Sequence, residues 1–289
     1  MSMPSERVTP ALLRAWPLPQ PSGSKTSRGT VLVVGGSRRS PGAAQLAGRA
    51  ALRVGAGRLT LAVGATVATA VSVAVPECGV VSLEETRSGH VRGASVRAAR
   101  ADVAGADAVL VGPGLDDAGE TKRMLEHLAP LWSRHTTVVF DAFALGALAG
   151  RPQLARRGSH GRPRILTPNE AEAERLLGRD VRDLADATRT IARRYHAVVS
   201  CFGWIASPEG RLFTVGDGSP GLGTSGSGDA LAGAIAGLAA RGCDPLQAAV
   251  WGTYLHAAAG DTLSESVGGL GFLASEIVDS LPREIVAVG

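Results

Sequence analysis

One unit recurs along this chain: a short apolar, β-branched run that ends in a turn residue, then an Ala- and Leu-rich stretch with helical spacing. Thr30 to Val34 runs into Gly35-Gly36-Ser37, and Gly42 to Val54 follows, closed by Gly55 and Gly57. Leu59 to Val63 is the next apolar run. Runs this short, without polar alternation, suit strands buried on both faces. A helix between two such strands predicts a parallel pair with a right-handed crossover. The unit returns at Ala108 to Val111, which ends in Gly112-Pro113-Gly114 and precedes a helix over Glu120 to Trp132. Thr137 to Phe140 ends at Asp141, and Arg164 to Leu166 ends in Thr167-Pro168-Asn169. Helices are predicted over Glu170 to Leu177 and Val181 to Tyr195. His196 to Cys201, Trp204 to Ala206 and Leu212 to Val215 differ, being joined by short turns such as Ser207 to Gly210, so an antiparallel edge is expected. Helices over Asp229 to Arg241, Pro245 to Ala259 and Ala274 to Leu281 complete the pattern.

The pattern implies an α/β fold: a mostly parallel central sheet with helices on both faces and a C-terminal antiparallel edge. Residues 1–28, rich in Pro, Ser and Gly, are expected to be an extended lead-in with one short helix near Pro10 to Ala15. Residues 29–289 are expected to form a single domain. In such sheets ligands sit outside the carboxyl ends of the strands. Gly35-Gly36-Ser37, Gly112-Pro113-Gly114, Asp141 and Thr167-Pro168-Asn169 all fall there.

Composition excludes several classes. With 45% apolar and only 19% charged residues, the 289-residue chain can bury a large core. No run approaches the roughly 20 apolar residues of a membrane span, and the N-terminus has no apolar signal-peptide core, so a cytoplasmic protein is expected. The formal charge of +4 comes from scattered arginines; the only lysines are Lys25 and Lys122. With aromatics at 4%, this is the pattern of a solvated Arg-rich surface rather than a nucleic-acid face. Cys78, Cys201 and Cys243 are far apart and odd in number, which predicts buried, reduced thiols. The six histidines show neither HxxxH nor HxH spacing, so no protein-built metal site is expected.

The sharpest motif is Gly221-Leu-Gly-Thr-Ser-Gly-Ser-Gly-Asp-Ala-Leu-Ala-Gly233. A glycine-rich loop that enters a helix exposes backbone N–H groups at the positive end of the helix dipole, which makes an anion hole. Asp229 at that start could cap the helix, or act as a base toward a hydroxyl beside a phosphoryl group. There is no Gly-Lys-Ser/Thr and so no P-loop. Gly35-Gly36-Ser37 lacks the spacing of a dinucleotide fingerprint, and no acidic residue ends the strand near Val63.

The segments VLVVGGSRRSPGAAQLAGRAALRVGAGRLTLAV, PECGVV, VLVGPGL, VVFDAFAL, ILTPNEAEAERLLG, PGLGTSGSGDALAG and YLHAAAGD occur in this order. Together they resemble the ADP- or ATP-dependent (S)-NAD(P)H-hydrate dehydratase family, which belongs to the ribokinase-like superfamily. The likeness runs from about Thr9 to the C-terminus. It implies a three-layer α/β/α fold and a repair reaction, in which a nucleotide is spent to remove water from the hydrated nicotinamide ring of NADH or NADPH. It implies Mg²⁺ with ADP or ATP, small-molecule partners, and a companion epimerase on another chain. Neither nucleic acid nor a membrane is implied, and helix faces rich in Ala and Gly permit a homo-oligomer. Asp229 would be the catalytic base. Ala43, Gly114, Asn169 and Asp229 would bind the hydrated substrate. Gly226, Ser227 and Gly228, with Val199, Ser200, Cys201, Phe202 and Gly203, would bind the nucleotide. Taken alone, Ala43 is an ordinary first-turn residue and Gly114 a turn glycine.

Three places depart from the family pattern. Asn169 stands where the family has a histidine after Thr-Pro; it can hydrogen-bond but takes no proton at neutral pH. Phe143 replaces the second aspartate of Asp-Ala-Asp-Ala-Leu. The nucleotide strand lacks the family's Lys-Gly pair, with Phe202 and Trp204 where small or polar residues are usual. Two other readings fit these departures: another small-molecule kinase of the same superfamily, and a degenerate nucleotide-binding protein without catalysis.

Overall fold

The computed structural model describes residues 4–20, 23–216 and 218–289. From the amino end, β1 (Glu6–Arg7) and α1 (Pro10–Ala15) precede β2 (Thr30–Val34), α2 (Pro41–Arg53), β3 (Arg58–Gly64), α3 (Ala68–Ala74) and β4 (Cys78–Leu83). Next come α4 (Arg100–Gly105), β5 (Ala108–Val111), α5 (Ala118–Leu128), β6 (Thr137–Phe140), α6 (Phe143–Leu148) and α7 (Pro152–Arg156). Then β7 (Arg164–Leu166), α8 (Glu170–Leu177) and α9 (Leu184–Tyr195) lead to β8 (Ala197–Cys201), β9 (Trp204–Ala206) and β10 (Leu212–Thr214). Helices α10 (Ser227–Ala240), α11 (Pro245–Ser266) and α12 (Ala274–Val288) close the chain.

The strands form one sheet in the order β1-β10-β9-β8-β7-β6-β5-β2-β3-β4. From β8 through β4 every pairing is parallel, while β9 runs antiparallel to both β8 and β10. Side chains alternate into two cores. Val31 and Val33 of β2 face one, with α2, α10, α11 and α12. Leu32 and Val34 face the other, with α5, α6, α8 and α9. This is the expected three-layer arrangement, and it explains why these strands lack polar alternation.

Five details differ from the sequence expectation. The antiparallel strands are not the edge of the sheet, because β1 from the lead-in pairs parallel with β10, placing Glu6 beside Phe213. The lead-in is also packed: Val8, Leu13 and Leu18 are buried, and Trp251 Nε1 donates to the Trp16 carbonyl (2.9 Å). Strand β4 was unforeseen, since its outer position leaves most of it half-exposed and its sequence weakly apolar. Helix α12 continues past Pro282, because Ile285 and Val288 keep packing on the core and Arg14 Nη1 donates to the Val288 carbonyl (2.8 Å). Likewise α11 runs on to Ser266, where Val267-Gly268-Gly269 stops it.

Cys201 and Cys243 are buried and free, as expected; Cys78 is only partly buried. Among the described residues no helix is long and apolar enough to cross a membrane.

Candidate active site

The loops at the carboxyl ends of the central strands interlock. The Gly36 N–H donates to the Pro113 carbonyl (2.8 Å), Ser37 N–H to the Gly114 carbonyl (2.8 Å), and Gly64 N–H to the Gly36 carbonyl (3.0 Å). Gly112 has φ +131° and lies so close to the Asp141 carbonyl that a Cβ would strike it. Glycine is required there for backbone to meet backbone. A Cβ on Gly114 would stand 3.1 Å from the Ala43 Cβ, so these two half-exposed residues are neighbours on one side of the site.

Asp141 follows β6 directly and is buried; its Oδ1 accepts the Thr167 hydroxyl (2.7 Å). Burial, then the charge of Asp229, holds this carboxyl well above the usual carboxylate range. Asn169 is the N-cap of α8: its Oδ1 accepts the Glu172 N–H (2.9 Å), and Glu172 Oε2 accepts the Asn169 N–H (2.9 Å). This capping box leaves the Asn169 Nδ2 donors for a ligand.

Helix α10 begins two residues earlier than the sequence suggested. Its N-cap is Gly226, with φ +88° and no side-chain cap bond. Asp229 therefore sits inside the first turn and does not cap the helix. Among the described residues its carboxylate accepts no hydrogen bond. Burial, then the charge of Glu172, raises its pKa from 3.8 to about 6. Gly226 also lies against Leu46 of α2, three residues on from Ala43, so the loop abuts that side of the site.

His256 of α11 fixes the start of α10. Its Nε2 lies 2.9 Å from Ser227 Oγ and 3.1 Å from the Ser227 carbonyl. Burial lowers its pKa to about 4, so the ring is neutral. Since the Ser227 carbonyl can only accept, the tautomer that makes this bond carries its proton on Nε2 and donates. On the neighbouring turn, Thr253 Oγ1 donates to the Ala249 carbonyl (2.7 Å), so Ser200 Oγ, 2.7 Å away, is the donor to Thr253.

A cleft of about 510 Å³ opens beside this helix start. Asn169, Ser200, Phe202, Gly203, Ser227 and Gly228 line it. Val199 and Cys201 do not; they are buried in the core on the far face of the sheet, as alternation along β8 requires. Gly226 and Asp229 border the cleft without lining it, and Ala43 and Gly114 lie apart from it. Sequence reasoning missed Thr253, His256, Ser219 and Leu222 as cleft residues. The histidine inside the small-residue helix α11 was the one available signal.

The chain matches the family described as NAD(P)H-hydrate dehydratase over residues 31–283. It is 46% identical over 283 residues to the ADP-dependent (S)-NAD(P)H-hydrate dehydratase of Xanthomonas campestris pv. campestris, covering 95% of this chain and 94% of that one. The ADP/ATP-dependent NAD(P)H-hydrate dehydratase of Bacillus subtilis, co-crystallised with ATP and Mg²⁺, superposes with a TM-score of 0.80 at 27% identity, over all of both chains. A ribokinase-like superfamily protein of Enterococcus faecalis matches in fold with a TM-score of 0.80 at 21% identity, covering 99% and 96% of the two chains. The chain spans about half the length of the bifunctional NAD(P)H-hydrate repair enzymes among its relatives.

Proposed function

Since the chain belongs to the NAD(P)H-hydrate dehydratase family, we propose that it uses ADP or ATP to remove water from the hydrated nicotinamide ring of (S)-NADH and (S)-NADPH hydrates. The observation that carries this reading is Asp229: a carboxylate free of any capping bond, in the first turn of the anion-binding helix, with its pKa raised to about 6. Such a group is largely ionised at neutral pH yet basic enough to accept a proton in a transition state.

Asp229 takes the proton of the substrate hydroxyl as that oxygen attacks the terminal phosphorus. The bond between this phosphorus and the nucleotide breaks, so ADP leaves as AMP, or ATP as ADP. The N–H groups of Gly226 and Gly228 hold the transferring phosphoryl oxygens, while the Ser227 N–H donates to the Thr224 carbonyl (3.2 Å) and shapes the turn. Hydroxide leaves poorly and phosphate leaves well. The ring nitrogen's lone pair then expels the phosphate, and loss of a proton from the neighbouring carbon restores the ring double bond. Mg²⁺, when bound with the nucleotide, neutralises charge on the phosphates. Among the described residues no group of three or more His, Cys, Asp or Glu could cage a metal. An ion held mainly by the phosphates and water would need no such group.

Ala43 and Gly114 line the nicotinamide side in this reading, and Asn169 donates to the substrate from its cap position. Ser200, Phe202 and Gly203 contact the nucleotide, while Val199 and Cys201 only support the strand. A separate epimerase activity would convert the R hydrate to the S form used here.

The test is the return of 340 nm absorbance from hydrated NADH with ADP or ATP and Mg²⁺. Recovery that depends on nucleotide, and that Asp229→Asn cuts by about 10²-fold or more, supports the reading. No recovery from folded wild-type protein sinks it.

A further inference from the structure

Phe202 breaks a local rule of chain folding, and the protein's own packing does not account for it. With Gly203 it forms the two-residue turn between β8 and β9, at φ of +45° and +76°. A two-residue hairpin with left-handed backbone at both positions is a type I′ turn, which favours Asn, Asp or Gly at its first position. Phenylalanine is strained there, because its Cβ crowds the backbone. The second position obeys the rule: a Cβ on Gly203 would strike the Gly216 carbonyl. The Val215 N–H donates to the Gly203 carbonyl (2.9 Å) and ties the turn down. Strained residues that the surroundings hold in place concentrate at functional sites.

Burial does not offset the strain. Phe202 is 59% exposed and joins neither core. It does line the cleft, and among the described residues no other Phe, Tyr or Trp does so. Val215, Pro220, Leu222 and Leu231 add apolar wall, while Ser227 and Gly228 bring the helix N-terminus to the same cleft. One cavity thus holds an aromatic face and an anion-binding backbone, the two chemistries that a nucleotide presents as base and phosphate.

We propose that Phe202 is the stacking platform for the base of the bound nucleotide and makes the site prefer a purine to a pyrimidine. The inference rests on the nucleotide-dependent reading above. Ring-on-ring stacking grows with the overlapped π surface, so a purine gains more from Phe202 than a pyrimidine does. The phenyl ring supplies this at a turn where asparagine would be easier to accommodate.

The experiment compares ADP and CDP binding by calorimetry for the whole wild-type protein, Phe202→Asn and Phe202→Trp, with Tm measured alongside. Asparagine suits the left-handed position, so Phe202→Asn keeps or raises Tm, which separates ligand loss from misfolding. It weakens ADP binding about tenfold or more and removes the preference over CDP. Phe202→Trp binds ADP at least as tightly as wild type, and its added indole emission is quenched by ADP. Unchanged ADP affinity in Phe202→Asn overturns the proposal. So does tighter ADP binding, the outcome expected if the ring obstructs the cleft. Failure of wild-type protein to bind either ADP or ATP overturns the proposal together with the nucleotide-dependent reading, whereas nucleotide binding indifferent to residue 202 overturns it alone.

Discussion

Asp229 gathers the chemistry of this site into one side chain, and its environment sets a pH dependence. Burial and the Glu172 charge raise its pKa from 3.8 to about 6. The base must be ionised, so kcat/KM should fall on the acid side with an apparent pKa of about 6, and this limb should be absent from the residual activity of Asp229→Asn. A pH–rate profile of both proteins checks it. The stability sign is opposite. A carboxylate with a raised folded pKa contributes its stability fully below the unfolded value of 3.8 and loses it as pH rises through about 6. Asp229→Asn should therefore be no less stable than wild type at pH 7, although far less active. Asp141 has the same sign for the same first cause, burial, and the nearby Asp229 charge reinforces it. The two carboxyls thus titrate as neighbours rather than independently.

At the scale of elements, the approach of α10 to α2 decides where the anion-binding turn sits. Gly233 and Gly237 leave no room for a Cβ: at Gly233 it would strike the Ala47 carbonyl, and at Gly237 it would come 2.6 Å from Ala51 Cα. Helix propensity alone would make Gly233→Ala stabilising by about 1 kcal/mol. The clash is with backbone, which cannot rotate away, so overpacking of about 1–3 kcal/mol should win. We expect a lower Tm for Gly233→Ala, by calorimetry, with weakened ADP binding because the helix start moves with the helix. His256 works at the same scale. As a neutral donor to the Ser227 carbonyl it joins α11 to the first turn of α10, so the phosphate end of the cleft is built by two helices and not by the loop alone.

At the scale of the molecule, the lead-in matters more than its Pro- and Ser-rich composition suggests. Strand β1 covers the outer side of β10, the Val8 N–H donates to the Thr214 carbonyl (2.8 Å), and Val8 is buried. Removing residues 1–8 should cost about 2 kcal/mol from the Val8 side chain alone, lowering Tm by about 4 °C or more. It should also promote association through the uncovered edge of β10. Thermal melts and light scattering of the truncated chain test both, and an unchanged Tm would show that β1 adds nothing.

Periodicity, turn chemistry and motif order were enough to determine much of this protein. The buried parallel strands, the loops at their carboxyl ends and the glycine-rich entry to α10 are local patterns, carried by residues a few positions apart. Asp229 was legible for that reason. What the sequence left open depended on contacts between distant segments. Whether Asp229 caps its helix depended on where α10 starts, and Gly226 decided that. The role of His256 depended on α11 crossing the start of α10, 29 residues away in the chain. The edge strand β1 exists only because β10 offers it unpaired backbone, and Glu6-Arg7 has no apolar signature of its own. The assignment of Val199 and Cys201 to one face and Ser200 to the other depended on the register of β8 against its neighbours. Local sequence sets conformational preference over a few residues; burial, register and the electrostatics of buried carboxyls are set by groups that only the folded chain brings together.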